Sequence, residues 1–357
     1  MSDLVILSPQ GLYCPQGDFH IDPWRPVARA VITHAHADHA RTGHGSYLAS
    51  LEGEQVLRAR LGDITLQTLG WSETLTITGV KISLHPAGHV LGSAQVRLEH
   101  AGRVWVVSGD YKTEPDRSCT AFESVRCDTF ITESTFGLPI YRWSPAELII
   151  AQILQWWQGN AAERRASVLF CYSLGKAQRI LAALGALGTS LPGDIVCHSA
   201  VETLNRAYRA SGIVLPPTRS GELDRSNLGS ALLVAPPAVE GSAWLRAAGD
   251  AATAFASGWM RVRGARRRRA VERGFVLSDH ADWPGLQHAI RASGASRVIV
   301  THGQQAPMVR WLNEQGLQAG SFQTRFADDG EPATGDAQTA PEGSDEQSTQ
   351  QRVDGGR

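Results

Sequence analysis

The sequence predicts an α/β protein in which one domain is interrupted by another. Three observations carry that reading. The first third is a succession of short β-type runs, the middle alternates strand with helix, and a final stretch returns to one helix and one strand. The early runs are "RAVITHA", "TLTITGVKISLHPA", "SAQVRLEHAGRVWVVSGD" and "CDTFITEST". They are rich in β-branched residues and recur at roughly 8–12 residues, the pattern of a sheet meander with functional loops at its ends. "SLEGEQVLRARLG" reads as a helix between them. From Ser144 the texture changes. "SPAELIIAQILQWWQGN" opens with Ser and Pro, a helix start, and runs into a glycine stop. "SVLFCYS" reads as a buried strand and "GKAQRILAALGALG" as a helix. "DIVCHS", "VETLNRAYRASG" and "ALLVAPP" repeat the alternation, which is that of a parallel α/β unit. After Gly274, "GFVLSDHADWPGLQHAIRASG" and "ASRVIVTHG" supply the returning helix and strand.

Length and composition set the frame. The chain has 357 residues, enough for two ordinary domains or one large one, and its 42% hydrophobic content allows sizeable cores. Thirty-six glycines and 17 prolines suit many turns. No apolar run is long enough to span a membrane, and the N-terminus lacks the basic and apolar regions of a signal peptide. A soluble cytoplasmic protein without membrane contact is the expectation. The five cysteines are an odd number without CxxC spacing, which argues against a disulfide framework and a zinc ribbon. They are expected as small buried apolar residues. The net charge of −1 hides an asymmetry: residues 328–357 hold eight acidic and two basic residues, a net of −6, so the rest carries +5. That tail lacks aromatics and periodicity and is expected to be disordered. A mildly basic body permits a polyanionic partner without demanding one.

The densest chemistry lies in "VITHAHADHARTGHG", residues 31–45. His34, His36, Asp38 and His39 fall within six positions, after a strand and into a turn. Side chains at 34 and 36 share one face of an extended segment, while Asp38 and His39 follow as the chain bends. Two ligands can then serve one ion and two a neighbouring ion. The bland reading is a histidine-rich surface loop. It is disfavoured by companions in similar settings: His89 in "HPAGHVLGSA", Asp110 in "VVSGDYK" and His302 in "VIVTHG". Each follows a strand-like run or stands in a glycine-containing turn. Imidazole and carboxylate suit Zn²⁺, and also Mn²⁺ or Fe²⁺. A carboxylate can bridge two ions, which fits Asp110, and two ions roughly 3.5–4 Å apart can hold a hydroxide and clamp a phosphoryl oxygen.

"HAHADH", "PAGH", "SGD" and the late "THG" resemble the successive metal motifs of the metallo-β-lactamase fold. "TEST" near Glu133 and "LSDHADW" near His280 resemble two further motifs of its β-CASP branch, the nucleic-acid-processing nucleases. The likeness covers roughly residues 10 to 325. "GLYCPQGDFHIDPWRPV", "FASGWMRVRG" and "GFVLSDHADW" bring it nearest to bacterial ligase-associated DNA exonucleases. The resemblance implies an αββα sandwich (residues 1–140 and 277–327) with a β-CASP α/β domain (141–276) inserted, then the tail (328–357). By the same resemblance His34, His36 and His89 would hold one divalent ion, zinc or manganese. Asp38, His39 and His302 would hold a second, with Asp110 bridging. Asp38 would thereby also serve catalysis. His280 would give a proton to the leaving oxygen, and Glu133 would orient it and favour its charged form. Asp22 would either support the metal loop or cap a turn.

The activity implied is DNA exonuclease action on single-stranded or frayed ends, in repair beside an ATP-dependent DNA ligase and a helicase. In this branch the last metal motif is typically His in RNA processors and Val in eukaryotic DNA-repair members, so His302 keeps an RNA-processing nuclease open. A small-molecule hydrolase on the same core is disfavoured by Glu133, His280 and the arginines. A catalytically silent nucleic-acid-binding protein would not need the whole ligand set.

"GWMRVRGARRRRAVERG" (258–274) carries seven arginines just before His280. Arg261, Arg263, Arg266 and Arg267 are candidate phosphate contacts, and Trp259 a base-stacking residue. The alternative is a solvated basic segment. Lys176, at the helix start in "CYSLGKAQRIL", is a further candidate, since a helix N-terminus with lysine can bind phosphate. An ordinary strand–helix turn explains it equally well. Trp156 and Trp157 are expected to pack. His20, His44, His85, His100, His198 and His288 have no assigned role.

Overall fold

The computed structural model describes residues 2–188, 190–223, 228–264 and 271–326. Two sheets form its centre. The first runs β1 (Ile6–Ser8), β2 (Gly11–Cys14), β3 (Phe19–Ile21), β4 (Arg29–Val31), β5 (Ser46–Ser50) and β6 (Leu66–Leu69), in that order. The second begins with β7 (Thr74–Ile77), β8 (Val80–Pro86), β9 (Ala94–His100), β10 (Arg103–Val107) and β11 (Thr129–Ser134). A third, all-parallel sheet then interrupts it. It is made of β12 (Ser167–Phe170), β13 (Ile195–Cys197), β14 (Leu232–Ala235), β15 (Ala252–Ala256) and β16 (Arg273–Phe275), ordered β13-β14-β12-β15-β16. The chain returns with β17 (Arg297–Gly303) beside β11, and β18 (Gln318–Ser321) closes the second sheet.

Strand alternation builds the layers. Trp105 and Val107 of β10, with Ile131 and Ile299, point into a core shared with Leu12, Phe19, Ile21, Val31 and Leu48 of the first sheet. Val106, Phe130, Val298 and Val300 point the other way, against Leu286 and Ile290 of the helix Trp283–Ser293 and Leu312 of the helix Gln305–Glu314. Val56 and Leu57, on the helix Glu54–Leu61, cover the outer face of the first sheet with Ala30 and Ala49, continuous with the helices Ala146–Ala162 and Lys176–Gly185 of the insert. The result is the αββα sandwich with an inserted α/β unit.

One expectation changes in detail. The early strands are not one meander but two sheets, and β3 to β6 pair in parallel. The crossover from β4 to β5 is the metal-type loop itself, and that from β5 to β6 is the helix Glu54–Leu61. Trp157 is fully buried and Trp156 nearly so, as packing residues. All five cysteines are free, with Cys119 the one not fully buried. The expected acidic tail lies outside the described residues. Among the described residues no helix is long and apolar enough to cross a membrane.

Candidate metal centre

Strand ends deliver the cluster to one edge of the sandwich. His34, His36, His89 and Asp110 each offer a ligand atom within 4.8 Å of the others. His36 Nδ1 lies 3.1 Å from His34 Nε2 and 3.0 Å from His89 Nε2. Asp110 stands between this trio and a second group. Its Oδ2 is 3.6 Å from His34 Nε2 and 3.5 Å from His39 Nε2, while Oδ1 is 3.1 Å from His302 Nε2. Asp38 Oδ2 reaches His39 Nε2 at 3.4 Å. Gly109, at φ +56, permits this approach, since a Cβ there would lie 2.7 Å from Thr33 Cβ.

Outer hydrogen bonds fix each ring. Asp22, itself at φ 45, accepts from the Thr33 amide at 2.8 Å and the Thr33 hydroxyl at 2.5 Å. With its proton so committed, Thr33 Oγ1 accepts from His34 Nδ1–H at 3.0 Å. Asp22 also accepts from His39 Nδ1–H at 2.7 Å, so it supports His39 directly and His34 through Thr33. Thr301 repeats the device: its hydroxyl donates to Thr132 O at 3.2 Å and accepts from His302 Nδ1–H at 2.9 Å. His36 Nε2–H and His89 Nδ1–H donate to the carbonyls of Leu174 (3.3 Å) and Asp279 (2.9 Å). Every imidazole thus uses one nitrogen for its outer bond and turns the other toward the cluster, as metal ligands do.

The residues fit two divalent ions. Three imidazole nitrogens converge with no hydrogen to share between them, and the buried His39 Nε2 has no hydrogen-bond partner. Burial, then the neighbouring His39, holds His34 well below the usual imidazole range. Burial, with His280 and His36, takes His89 down to about 3. The second group behaves oppositely. Burial opposes charge on His39, but Asp38, Asp110 and Asp22 outweigh it and raise it well above the usual range. His302 is raised likewise, burial being outweighed by Asp110. Without metal, His34 and His89 are neutral while His39 and His302 hold protons. Metal binding must displace those protons, so affinity at the second group rises with pH up to the raised values. Calorimetric titration of the metal-stripped protein, in two buffers of different ionisation enthalpy, is expected to show clearly more proton release at one binding event, the filling of the second group. Equal release at both events would contradict this charge assignment.

Beside the cluster lies a second unit. His280 Nδ1 is 2.9 and 3.1 Å from the two Glu133 oxygens, and both residues are buried. Glu133 also accepts from the Tyr111 amide at 2.8 Å and the Thr135 hydroxyl at 2.5 Å. Asp110, Glu133 and His280 offer ligand-type atoms within 4.8 Å of one another. His89 and His280 rings are 4.5 Å apart.

The other expected contacts scatter. Arg261 and Arg263 are exposed, and Arg261 Nε donates to Ile140 O at 3.3 Å. Trp259 is half-buried, its ring 4.9 Å from Phe136, which lies 5.9 Å from His280. Arg266 and Arg267 lie outside the described residues. Lys176 departs from the expectation of a phosphate contact: it is 2% exposed and its ammonium is 3.0 Å from buried Asp279. Its helix packs against the return segment, so the charge is turned inward. His85 faces Ser83 and Glu123 rather than the cluster. Thr33, Thr301, Asp279 and Arg179 are functional neighbours that motif reading passes over. A faint signal exists, since three of them stand immediately before His34, His302 and His280.

A histidine- and carboxylate-lined centre at the edge of an αββα sandwich, with a buried His–Glu pair beside it, is the architecture of a metallohydrolase. A probable DNA ligase of Opitutus terrae is 34% identical over 313 residues, 87% of this chain and 30% of that protein. Endoribonuclease ysh1 of Emericella nidulans is 35% identical over 120 residues, covering 32% of this chain and 13% of the relative. Cleavage and polyadenylation specificity factor 73 of Drosophila melanogaster is 28% identical over 199 residues, 49% of this chain and 28% of that protein. The chain therefore spans less than a third of each of these relatives. A crystal structure of a protein of unknown function from Enterococcus faecalis shares the fold, at a TM-score of 0.57 and 10% identity over 84% of this chain and 80% of that one. No family model matches. In fold and in the make-up of its metal-type centre the chain is similar to the β-CASP branch of the metallo-β-lactamase superfamily.

Proposed function

We propose that this chain is a metal-dependent DNA exonuclease that trims DNA ends in the cytoplasm, in a pathway with an ATP-dependent DNA ligase and a helicase. The observation that carries the reading is the buried Glu133–His280 pair beside the Asp110 cluster, a proton donor next to the metal-type ligands. The ligase link rests on the relative named a probable DNA ligase. Two divalent ions, zinc or manganese, held by His34, His36 and His89 and by Asp38, His39 and His302 with Asp110 between, would supply a hydroxide nucleophile and charge stabilisation at the phosphoryl oxygens.

The chain's own residues do the rest. Glu133 holds His280 through Nδ1 and directs Nε2 to the leaving oxygen, where it delivers a proton. Arg261 and Arg263 attract the backbone on the insert's side (141–276), and Trp259 stacks on a base. Asp22, Thr33 and Thr301 keep the ligand rings oriented through the reaction.

A second reading is ribonuclease action, favoured by His302 and by the relatives named endoribonucleases. One digestion separates the two. DNA and RNA strands of one sequence, labelled at either end, are incubated with the protein and Mn²⁺ or Zn²⁺, with Asp110→Ala as control. Loss of DNA with RNA spared is expected, and the label reveals the polarity. Preferential loss of RNA would replace the DNA reading with the ribonuclease one.

A further inference from the structure

We infer that the inserted domain is a built-in part of the first ligand group, so that metal binding there and docking of the insert are one coupled equilibrium. The inference rests on the metal-centre half of the preceding reading and not on its substrate.

Two of the three imidazoles in that group are held from beyond the first stretch of the sandwich. His36 Nε2–H donates to Leu174 O, at the turn between β12 and the helix Lys176–Gly185. His89 Nδ1–H donates to Asp279 O, where the chain re-enters the sandwich. A carbonyl can only accept, so both contacts select the tautomer that leaves His36 Nδ1 and His89 Nε2 bare toward the cluster.

The insert then grips these acceptors. The Asp279 carboxylate, 1% exposed, lies 3.0 Å from Lys176 Nζ and 3.4 Å from Arg179 Nη1. Lys176 and Arg179 share one helix face at i, i+3. Arg179 also donates to Ser278 O at 2.8 Å and to His89 O at 3.0 Å, and pairs with Asp116 at 2.6 Å. Tyr208 Oη accepts the Leu91 amide at 3.2 Å. Gly175, at φ +86, lets the turn close on Val90, which a Cβ would meet at 2.3 Å. Charges this deeply buried are costly unless paired, and breaking one pair strands the others.

Among the described residues, the two histidines of the second group are held differently. His39 takes its outer bond from Asp22 and His302 from Thr301, both within the sandwich. Coupling carried by the imidazoles therefore falls on the first group. Linkage makes it reciprocal: metal there tightens the insert, and loosening the insert weakens that metal.

Hydrogen exchange on the full chain tests this without nucleic acid. Metal-stripped protein is compared with and without Zn²⁺. Zinc is expected to slow exchange in peptides spanning residues 86–93 and also 172–185, and to do so equally in His302→Ala. Protection of 86–93 with 172–185 unchanged would overturn the coupling. Chelator competition gives the second readout. Arg179→Lys and Tyr208→Phe are expected to weaken zinc about 5-fold or more when read in a His302→Ala background, the low end of a usual coupling between two sites. Read in a His36→Ala background, they are expected to leave zinc unchanged. Equal weakening in both backgrounds, or none, would overturn the proposal. The wild-type exchange comparison decides even if a variant fails to fold. No zinc binding at all would remove the metal centre itself, whereas a failed digestion alone would remove only the substrate.

Discussion

Asp110→Ala is expected to lose both metals and the activity together. Among the described residues Asp110 is the carboxylate that reaches both ligand groups, through Oδ2 to His34 and His39 and through Oδ1 to His302. It is 5% exposed, and burial works against its charge, yet His39 and His302 hold its carboxyl well below the usual range. Removing it takes away the anion those imidazoles balance. Breaking a buried pair typically costs about 3–5 kcal/mol, part of which is recovered here because His39 and His302 can shed their protons. What remains is a set of rings without the shared anion between the two ligand groups. Metal content measured by mass spectrometry should fall from two ions toward none. Nuclease rate should fall at least about 10³-fold, roughly 4 kcal/mol of barrier. Asp110→Asn, which keeps the volume, should behave alike and rule out a packing effect. A variant that kept two ions while losing activity would show that Asp110 acts on the substrate and not as the bridge.

How far the site can be read from sequence depends on how local its parts are. His34, His36, Asp38 and His39 are legible because one strand end and one turn place them, and period-two geometry already splits them into two pairs. Asp110 and His302 are legible as polar residues closing β-branched runs. The third-sheet alternation is legible for the same reason, since each strand and helix announces itself over a few residues. What sequence hides is set by docking. Lys176 reads as a solvent-facing helix start, and only contact with Asp279, a hundred residues on, turns it inward. Arg179 looks like an ordinary helical arginine until its guanidinium meets the His89 carbonyl. The strands β1 to β3 are three or four residues long, too short to stand out as a pattern. The division of the early strands between two sheets follows from long crossovers that pairing propensity does not encode.

His280→Ala should separate proton transfer from metal binding. Its ring is 2% exposed, and Nδ1 is committed to Glu133. No ligand imidazole takes its outer hydrogen bond from the His280 side chain, so both ions should remain. The fold should also survive. Glu133 keeps the Tyr111 amide and the Thr135 hydroxyl as donors, and no buried carboxylate is stranded. The rate on DNA is expected to fall about 10²–10⁴-fold, the usual span for losing a general acid. The size of the loss should depend on the leaving group. An alkoxide departs poorly without a proton, whereas a nitrophenolate departs without one. A nitrophenyl phosphodiester should therefore be hydrolysed by the variant at nearly the wild-type rate. Glu133→Gln, which leaves the ring in place but removes the carboxylate that orients it, should fall between the two proteins on DNA and match both on the activated ester. Because Asp110, Glu133 and His280 lie within 4.8 Å of one another, an ion held by that trio is the competing possibility. It predicts the reverse pattern: His280→Ala would lose metal, and both substrates would slow by the same factor.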